Sequence, residues 1–285
     1  MPDRKKTLYT SFAETLLSKR ENHTCNASLK SQTIEFLSEL IDLLFPHFSK
    51  KVYYSADDLL AKLQLLERNL ISVLRNMSER ESGSNEKIAE KYISTLPKIH
   101  DMLWNDAEAI YKGDPAAESI DEVILAYPGF RAIMIYRLAH ELSLLGIPIV
   151  PRIMTENAHQ LTGIDIHPAA TIGSPFFIDH GTGIVIGETT VIGKNVKIYQ
   201  GVTLGALSVD KTQESTKRHP TIEDNVIIYS QAVILGGKTV IGKDTVIGGN
   251  AWVTQSIPPR SVVYSKSEVR IRSTENYFDT IDYII

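Results

Sequence analysis

Eight histidines supply the side chain that moves protons most readily near neutral pH, and three of them stand in suggestive company. Asp165 precedes His167 by two positions, Asp179 directly precedes His180, and His219 follows Arg218. A base that deprotonates a hydroxyl works best when a carboxylate orients its imidazole, and Asp165 with His180 supplies such a pair if the chain stacks them. The same three histidines also read as zinc ligands at subunit borders, although closely paired histidines are missing from the spacing. Asp114, just before Pro115, reads either as a helix N-cap or as a substrate ligand. Glu188 reads as a charge at a corner of the chain. His23, His47 and His100 read as surface or capping residues, His140 and His159 as packed helix residues, and Trp104 and Trp252 as packing residues.

Those residues belong to two halves with different periods. Before residue 165 apolar residues recur at helical spacing: 31–45 ending at Pro46, a long helix after Ser55-Ala56-Asp57-Asp58, 88–111 with a kink or start at Pro97, 114–126, 130–145 and 150–161. Gly83, Gly113, Gly129, Gly146 and Gly163 read as breaks between them. From Ile166 aliphatic residues recur every six positions, as at Ile166, Ile172 and Ile178 and again at Ile186, Ile192, Ile198 and Leu204. A period of six fits neither helix nor strand and predicts a triangular parallel β-solenoid with three hexads per coil. Stacked coils are expected to superpose residues about 15 apart, which would bring Asp165 to His180. Three steps break the count: 178–186, the polar excursion 206–220 that ends in Arg218-His219-Pro220, and a seven-residue step at Gly236-Gly237 that reads equally as a simple bulge. Interruptions of a solenoid gather on one face, often the binding face.

The expected fold class is therefore α+β, with an all-α domain over 1–163, a solenoid over 164–262, and a tail over 263–285. Thirty Lys and Arg against 34 Asp and Glu give a net charge of −4, which argues against nucleic acid as a partner. The single cysteine, Cys25, excludes an intramolecular disulfide and a cysteine zinc cluster. Without a leader-like start or an apolar run of about 18 residues, the chain is expected to be cytoplasmic and free of membrane.

The strings Asp165-Ile166-His167-Pro168-Ala169-Ala170, Asp179-His180-Gly181-Thr182-Gly183 through Glu188, Val202-Thr203-Leu204-Gly205 and Arg218-His219-Pro220 resemble the serine O-acetyltransferases of cysteine biosynthesis, over about residues 112–255. The resemblance implies a left-handed parallel β-helix that transfers acetyl from acetyl-CoA to the hydroxyl of L-serine, with acetyl-CoA as co-substrate and no metal. It implies His180 as general base, Asp165 as its orienting partner, and Asp179 and His219 beside the substrate. Arg218 then holds the serine carboxylate, Asp114 its ammonium, and Glu188 stands near the site. Gly205, Ala206, Ser230 and Gly249 match the stretch along CoA. The resemblance further implies a homotrimer with the site between subunits, trimers pairing into hexamers, and L-cysteine as a feedback inhibitor. Asp282-Tyr283-Ile284-Ile285 resembles tails that enter O-acetylserine sulfhydrylase, or else is a frayed end. Ala206 departs from the family's second glycine, and residues 1–85 depart from its best-known bacterial N-terminal half. Two other readings stay open: another small-molecule acetyltransferase of this fold, and a scaffold that acts through its tail.

Overall fold

The change of period near residue 165 is a change of architecture. The computed structural model describes residues 2–23, 27–77, 83–207 and 216–266; Cys25, positions 208–215 of the polar excursion and the tail from 267, with Ile285, lie outside the described residues. Helices come first: Pro2–Asn22 (α1), Leu29–Leu44 (α2), Ala56–Arg75 (α3), Ser84–Gly113 (α4), Ile120–Ala126 (α5), Pro128–Leu144 (α6) and Val150–Thr162 (α7). Among the described residues no helix is long and apolar enough to cross a membrane. Ser55 caps α3 through a reciprocal bond with Asp58. Pro97 does not divide α4, which runs on for 30 residues. Its neighbours Leu96, Ile99 and Leu103 are buried, and that burial outweighs the one lost backbone bond.

Other local expectations change for equally local reasons. Asp114 is the C-cap of α4 rather than an N-cap, because α5 begins only at Ile120, where the Ser119 hydroxyl accepts from Glu122 N–H at 3.0 Å. Gly129 does not break a helix. It lies inside α6, where a Cβ would stand 2.4 Å from the Ile178 carbonyl oxygen, so its bareness lets α6 rest on the solenoid. His47 and His100 are not plain surface residues, since both rings pack with Trp104 around the buried Phe45.

The solenoid has three parallel sheets. The first holds Asp165–Ile166 (β1), Val185–Ile186 (β4), Thr203–Gly205 (β7), Val233–Leu235 (β10) and Trp252–Val253 (β13). The second holds Thr171–Ile172 (β2), Val191–Ile192 (β5), Thr221–Ile222 (β8) and Val240–Ile241 (β11). The third holds Phe176–Asp179 (β3), Val196–Tyr199 (β6), Ile227–Ile228 (β9), Val246–Ile247 (β12) and Val262–Val263 (β14). Inward residues stack coil on coil, as Ile166, Ile186, Leu204 and Ile234 do in the first sheet. Each such burial is worth about 1.5–3 kcal/mol. The register corrects the expected superposition: Asp165 lies beside Val185 and Val185 beside Thr203, so the coils step by 20 and 18 residues, not 15. Trp252 is not a packing residue; it stands 69% exposed on the outer face of the first sheet.

A buried ion pair fixes the helices to the first coil. Arg137 of α6 donates to both carboxylate oxygens of Asp106 of α4, at 2.5 and 2.9 Å, and to the carbonyls of Ile172 and Gly173. Asp106 in turn accepts from Phe176 N–H at 2.8 Å and from the Ser174 hydroxyl. Asp106 is fully buried and Arg137 nearly so, and each charge is stable there only because the other answers it.

Candidate active site

The chemistry-bearing residues collect on two edges of the triangular solenoid. The first edge is where the third sheet turns into the first, directly after Asp179 of β3. Here the first coil spends its two extra residues in the 180–183 turn, and His180 (φ 56°), Gly181 (φ 86°) and Gly183 (φ 81°) are all left-handed. A left-handed histidine is uncommon, and six other non-glycine residues between strands of the solenoid share that conformation. His180 is exposed, with its Nδ1 3.7 Å from Asp179 Oδ1. Asp165 makes no ion pair with His180 among the described residues, but its segment lies against the turn that carries His180. Its N–H donates to Ile184 O, Gly183 N–H donates to Gly163 O, and the Ile164 side chain fills the space over Gly181.

Asp114 joins this edge from the end of α4. Its Oδ1 accepts from Ala116 N–H at 2.8 Å and its Oδ2 from the Tyr127 hydroxyl at 2.6 Å. The Tyr127 bond, then the Ala116 bond and the nearby His180, hold the Asp114 carboxyl below the usual carboxylate range. The Tyr127 hydroxyl is pushed up to about 12, first by that bond, then by burial and by the negative charges of Asp114, Glu122 and Asp179. Asp114, Asp179 and Tyr127 thus form one anionic corner beside His180. Tyr127 was not among the expected site residues, because its role depends on a contact 13 positions away that no motif records.

The second edge is where the first sheet turns into the second. Three successive coils place His167, Glu188 with Thr189, and Arg218 with His219 there. Arg218 Nη2 donates to the Glu188 carboxylate, so Glu188 holds the arginine rather than standing free as a corner charge. The Thr189 hydroxyl oxygen accepts the N–H groups of Arg218 (2.9 Å) and His219 (3.0 Å), and its hydrogen goes to His219 Nδ1 at 2.9 Å. Thr189 N–H reaches the same Nδ1 at 3.1 Å. An Nδ1 that receives these donors carries no proton, so His219 is the Nε2–H tautomer. Burial, followed by the charge of Arg218, lowers the His219 imidazole to about 4, and burial likewise lowers His167. His219 is therefore a neutral donor near pH 7. Its ring lies against Gly187, where a Cβ would stand 2.0 Å from it. Sequence reasoning did not single out Thr189, although its place directly after Glu188 was the available signal.

The two edges are separated by the whole first sheet, about five residues or roughly 16 Å of extended chain. Within one protomer His180, Asp179 and Asp114 come together, and so do His219, Arg218 and Glu188, but the two groups do not meet. The residues matched to CoA divide in the same way. Ser230 and Gly249 are neighbours on the first edge, a Gly249 Cβ lying 3.1 Å from Ser230 O, while Gly205 and Ala206 follow β7 on the second. The three candidate zinc histidines do not converge either, and among the described residues no cluster of three or more His, Cys, Asp or Glu could hold a metal ion.

Comparison with known proteins gives this arrangement a context. Residues 46–134 match the family model for the N-terminal region of serine acetyltransferase, which carries the likeness well ahead of residue 112. The chain is 50% identical over 192 residues to the plasmid serine acetyltransferase of Synechococcus elongatus, a stretch covering 66% of this chain and 59% of that protein. It is 46% identical over 162 residues to the serine acetyltransferase of Bacillus pumilus, covering 57% of this chain and 72% of that one. Among solved structures, serine acetyltransferase isoform 3 of Entamoeba histolytica, in complex with cysteine, superposes with a TM-score of 0.72 at 39% identity, covering 85% of this chain and 84% of that one.

Proposed function

The chain belongs to the serine acetyltransferase family, and from that premise we propose that it transfers the acetyl group of acetyl-CoA to the hydroxyl of L-serine, giving O-acetyl-L-serine and CoA. The observation that carries this reading is the division of charge between the two edges. A serine zwitterion needs an anionic corner for its ammonium, a cation for its carboxylate and a base for its hydroxyl. Asp114 and Asp179 form the corner beside the base His180, and Arg218, held by Glu188, is the cation.

His180, oriented by Asp165, takes the serine hydroxyl proton as the oxygen attacks the thioester carbonyl carbon. The tetrahedral intermediate then collapses, the C–S bond breaks, and the imidazolium returns the proton to the departing CoA thiolate. His219 Nε2–H donates to the negative charge that builds on the thioester oxygen, a task that suits an imidazole kept neutral. No acyl-enzyme is needed, because serine is itself the nucleophile. CoA lies along Gly205 and Ala206 of one edge and Ser230 and Gly249 of the other.

A serine molecule spans only a few bonds and cannot bridge the roughly 16 Å between edges of one protomer. The site is therefore completed between copies, the first edge of one facing the second edge of its neighbour, in the homotrimer that the family resemblance implies. Pairing of trimers through the helices would give a hexamer. L-Cysteine, found with the Entamoeba relative, has the same zwitterion with a thiol for the hydroxyl and competes for the same charges. Ile285 is kept as the contact for O-acetylserine sulfhydrylase. The test is CoA release from acetyl-CoA by the full chain: release that depends on L-serine and falls on adding L-cysteine is expected, and no serine-dependent release would overturn the reading.

A further inference from the structure

The register of the third sheet builds an aromatic column along the first edge. Asp179 pairs with Tyr199, and the next coils bring Tyr229, Gly248 and Tyr264 into the same line, since Tyr229 N–H donates to Ile247 O and Gly248 N–H to Val263 O. Tyr199 and Tyr229 stack with centroids 5.1 Å apart at 18°. Above Tyr229 the column skips one coil, because Gly248 has no side chain, and resumes at Tyr264, whose Cα and Cβ lie 3.4 and 3.6 Å from where a Gly248 Cβ would be. Both tyrosines keep open surface: Tyr229 is 43% and Tyr264 77% exposed.

We propose that the gap between Tyr229 and Tyr264 is a slot for a planar heteroaromatic ring, and that its ligand is the adenine of CoA. Coils repeat every ~4.8 Å, so the two tyrosines are rooted about 9.6 Å apart. A base sandwiched between two rings needs about 7–8 Å, which a slight lean of either side chain provides. The slot centre lies three coils, about 14 Å, along the edge from Asp179 and His180, a distance that the extended pantetheine arm of the coenzyme covers. Ser230 and Gly249, adjacent on that edge, line the way. This assignment of the nucleotide end rests on the proposed acetyl-CoA chemistry, whereas the slot itself rests on the register alone.

The test uses the full chain with Tyr229→Ala, Tyr264→Ala and Tyr229→Phe, and two measurements. Calorimetry reads the affinity for adenosine 3′,5′-bisphosphate, which has the nucleotide end and no thioester. Kinetics read the preference, as a ratio of kcat/KM values, for acetyl-CoA over acetyl-pantetheine. Each alanine variant is expected to weaken the bisphosphate by about tenfold and to cut the preference by a similar factor, while the phenylalanine variant keeps both. Unchanged affinity and preference in the alanine variants, or no bisphosphate binding by the wild type, would overturn the slot. Alanine variants that lose assembly in sedimentation together with binding would overturn it too, marking the column as a subunit contact. Loss of bisphosphate in the alanine variants of a chain without serine-dependent turnover would uphold the slot and sink the acetyltransferase reading alone.

Discussion

Thr189→Val is the perturbation that separates a shaped second edge from a mere row of charges. Valine keeps the shape of threonine and removes one oxygen, which here accepts two backbone N–H groups, from Arg218 and His219, and bonds the Nδ1 of His219. A buried donor left without its acceptor costs about 1–3 kcal/mol, and the half-buried setting returns part of that through water. The cost falls on the placement of Arg218 and His219, whose N–H groups lose their acceptor and both of which the proposed transition state uses, while the Thr189 N–H still reaches His219 Nδ1. A loss of about 1.4–2.7 kcal/mol in transition-state binding corresponds to a drop in kcat/KM of about 10- to 100-fold. Thr189→Ser keeps the oxygen and should stay within about twofold of wild type. The assay is CoA release with L-serine varied at saturating acetyl-CoA, alongside urea unfolding of each variant. A valine variant with wild-type kcat/KM, or a serine variant as impaired as valine, would refute the reasoning.

His180→Asn, which tolerates the left-handed turn, should lower turnover about 10²- to 10⁴-fold with an unchanged unfolding midpoint; turnover within about threefold of wild type would remove the base assignment. His219, lowered to about 4 in the fold against 6.5 in the unfolded chain, is neutral when folded, so its share of stability is present above pH 6.5 and lost as pH falls to about 4. That share is about 3 kcal/mol, and urea titrations across that window should show a shallower acid loss in His219→Gln; equal slopes would contradict it. Asp106→Ala leaves Arg137 buried without its partner and should cost about 3–5 kcal/mol in urea unfolding, a loss below about 1 kcal/mol counting against the junction described above.

The period of six was enough to read the solenoid, because its inward positions admit little but aliphatic and small residues. Ala170, Thr190, Val196, Val202, Val226, Ala232, Thr245 and Ala251, each four places after an aliphatic, are all buried, and Thr182 escapes only because it lies in the enlarged turn. Local signals also served at Ser55, where the cap and its partner are three residues apart. What eluded the sequence depends on register or distance. The coil length around His180 differs from a plain count because the extra residues sit in its own turn, and Arg137 meets Asp106 across 31 positions. Gly129 looks like punctuation until α6 is seen against Ile178. For the candidate site, the residue types were legible while their division between two edges was not, since that division follows from which sheet each turn joins.

That division also yields the most direct test of the account. Two variants, His180→Asn and Arg218→Ala, each disable one edge and should be nearly inactive alone. If the site forms between copies, mixed assemblies from equal co-expression contain junctions where an intact first edge faces an intact second edge. A random mixture places them together in about a quarter of junctions, so serine-dependent CoA release should recover to about a quarter of wild type. Mixed assemblies that remain as inactive as either variant alone would contradict the account.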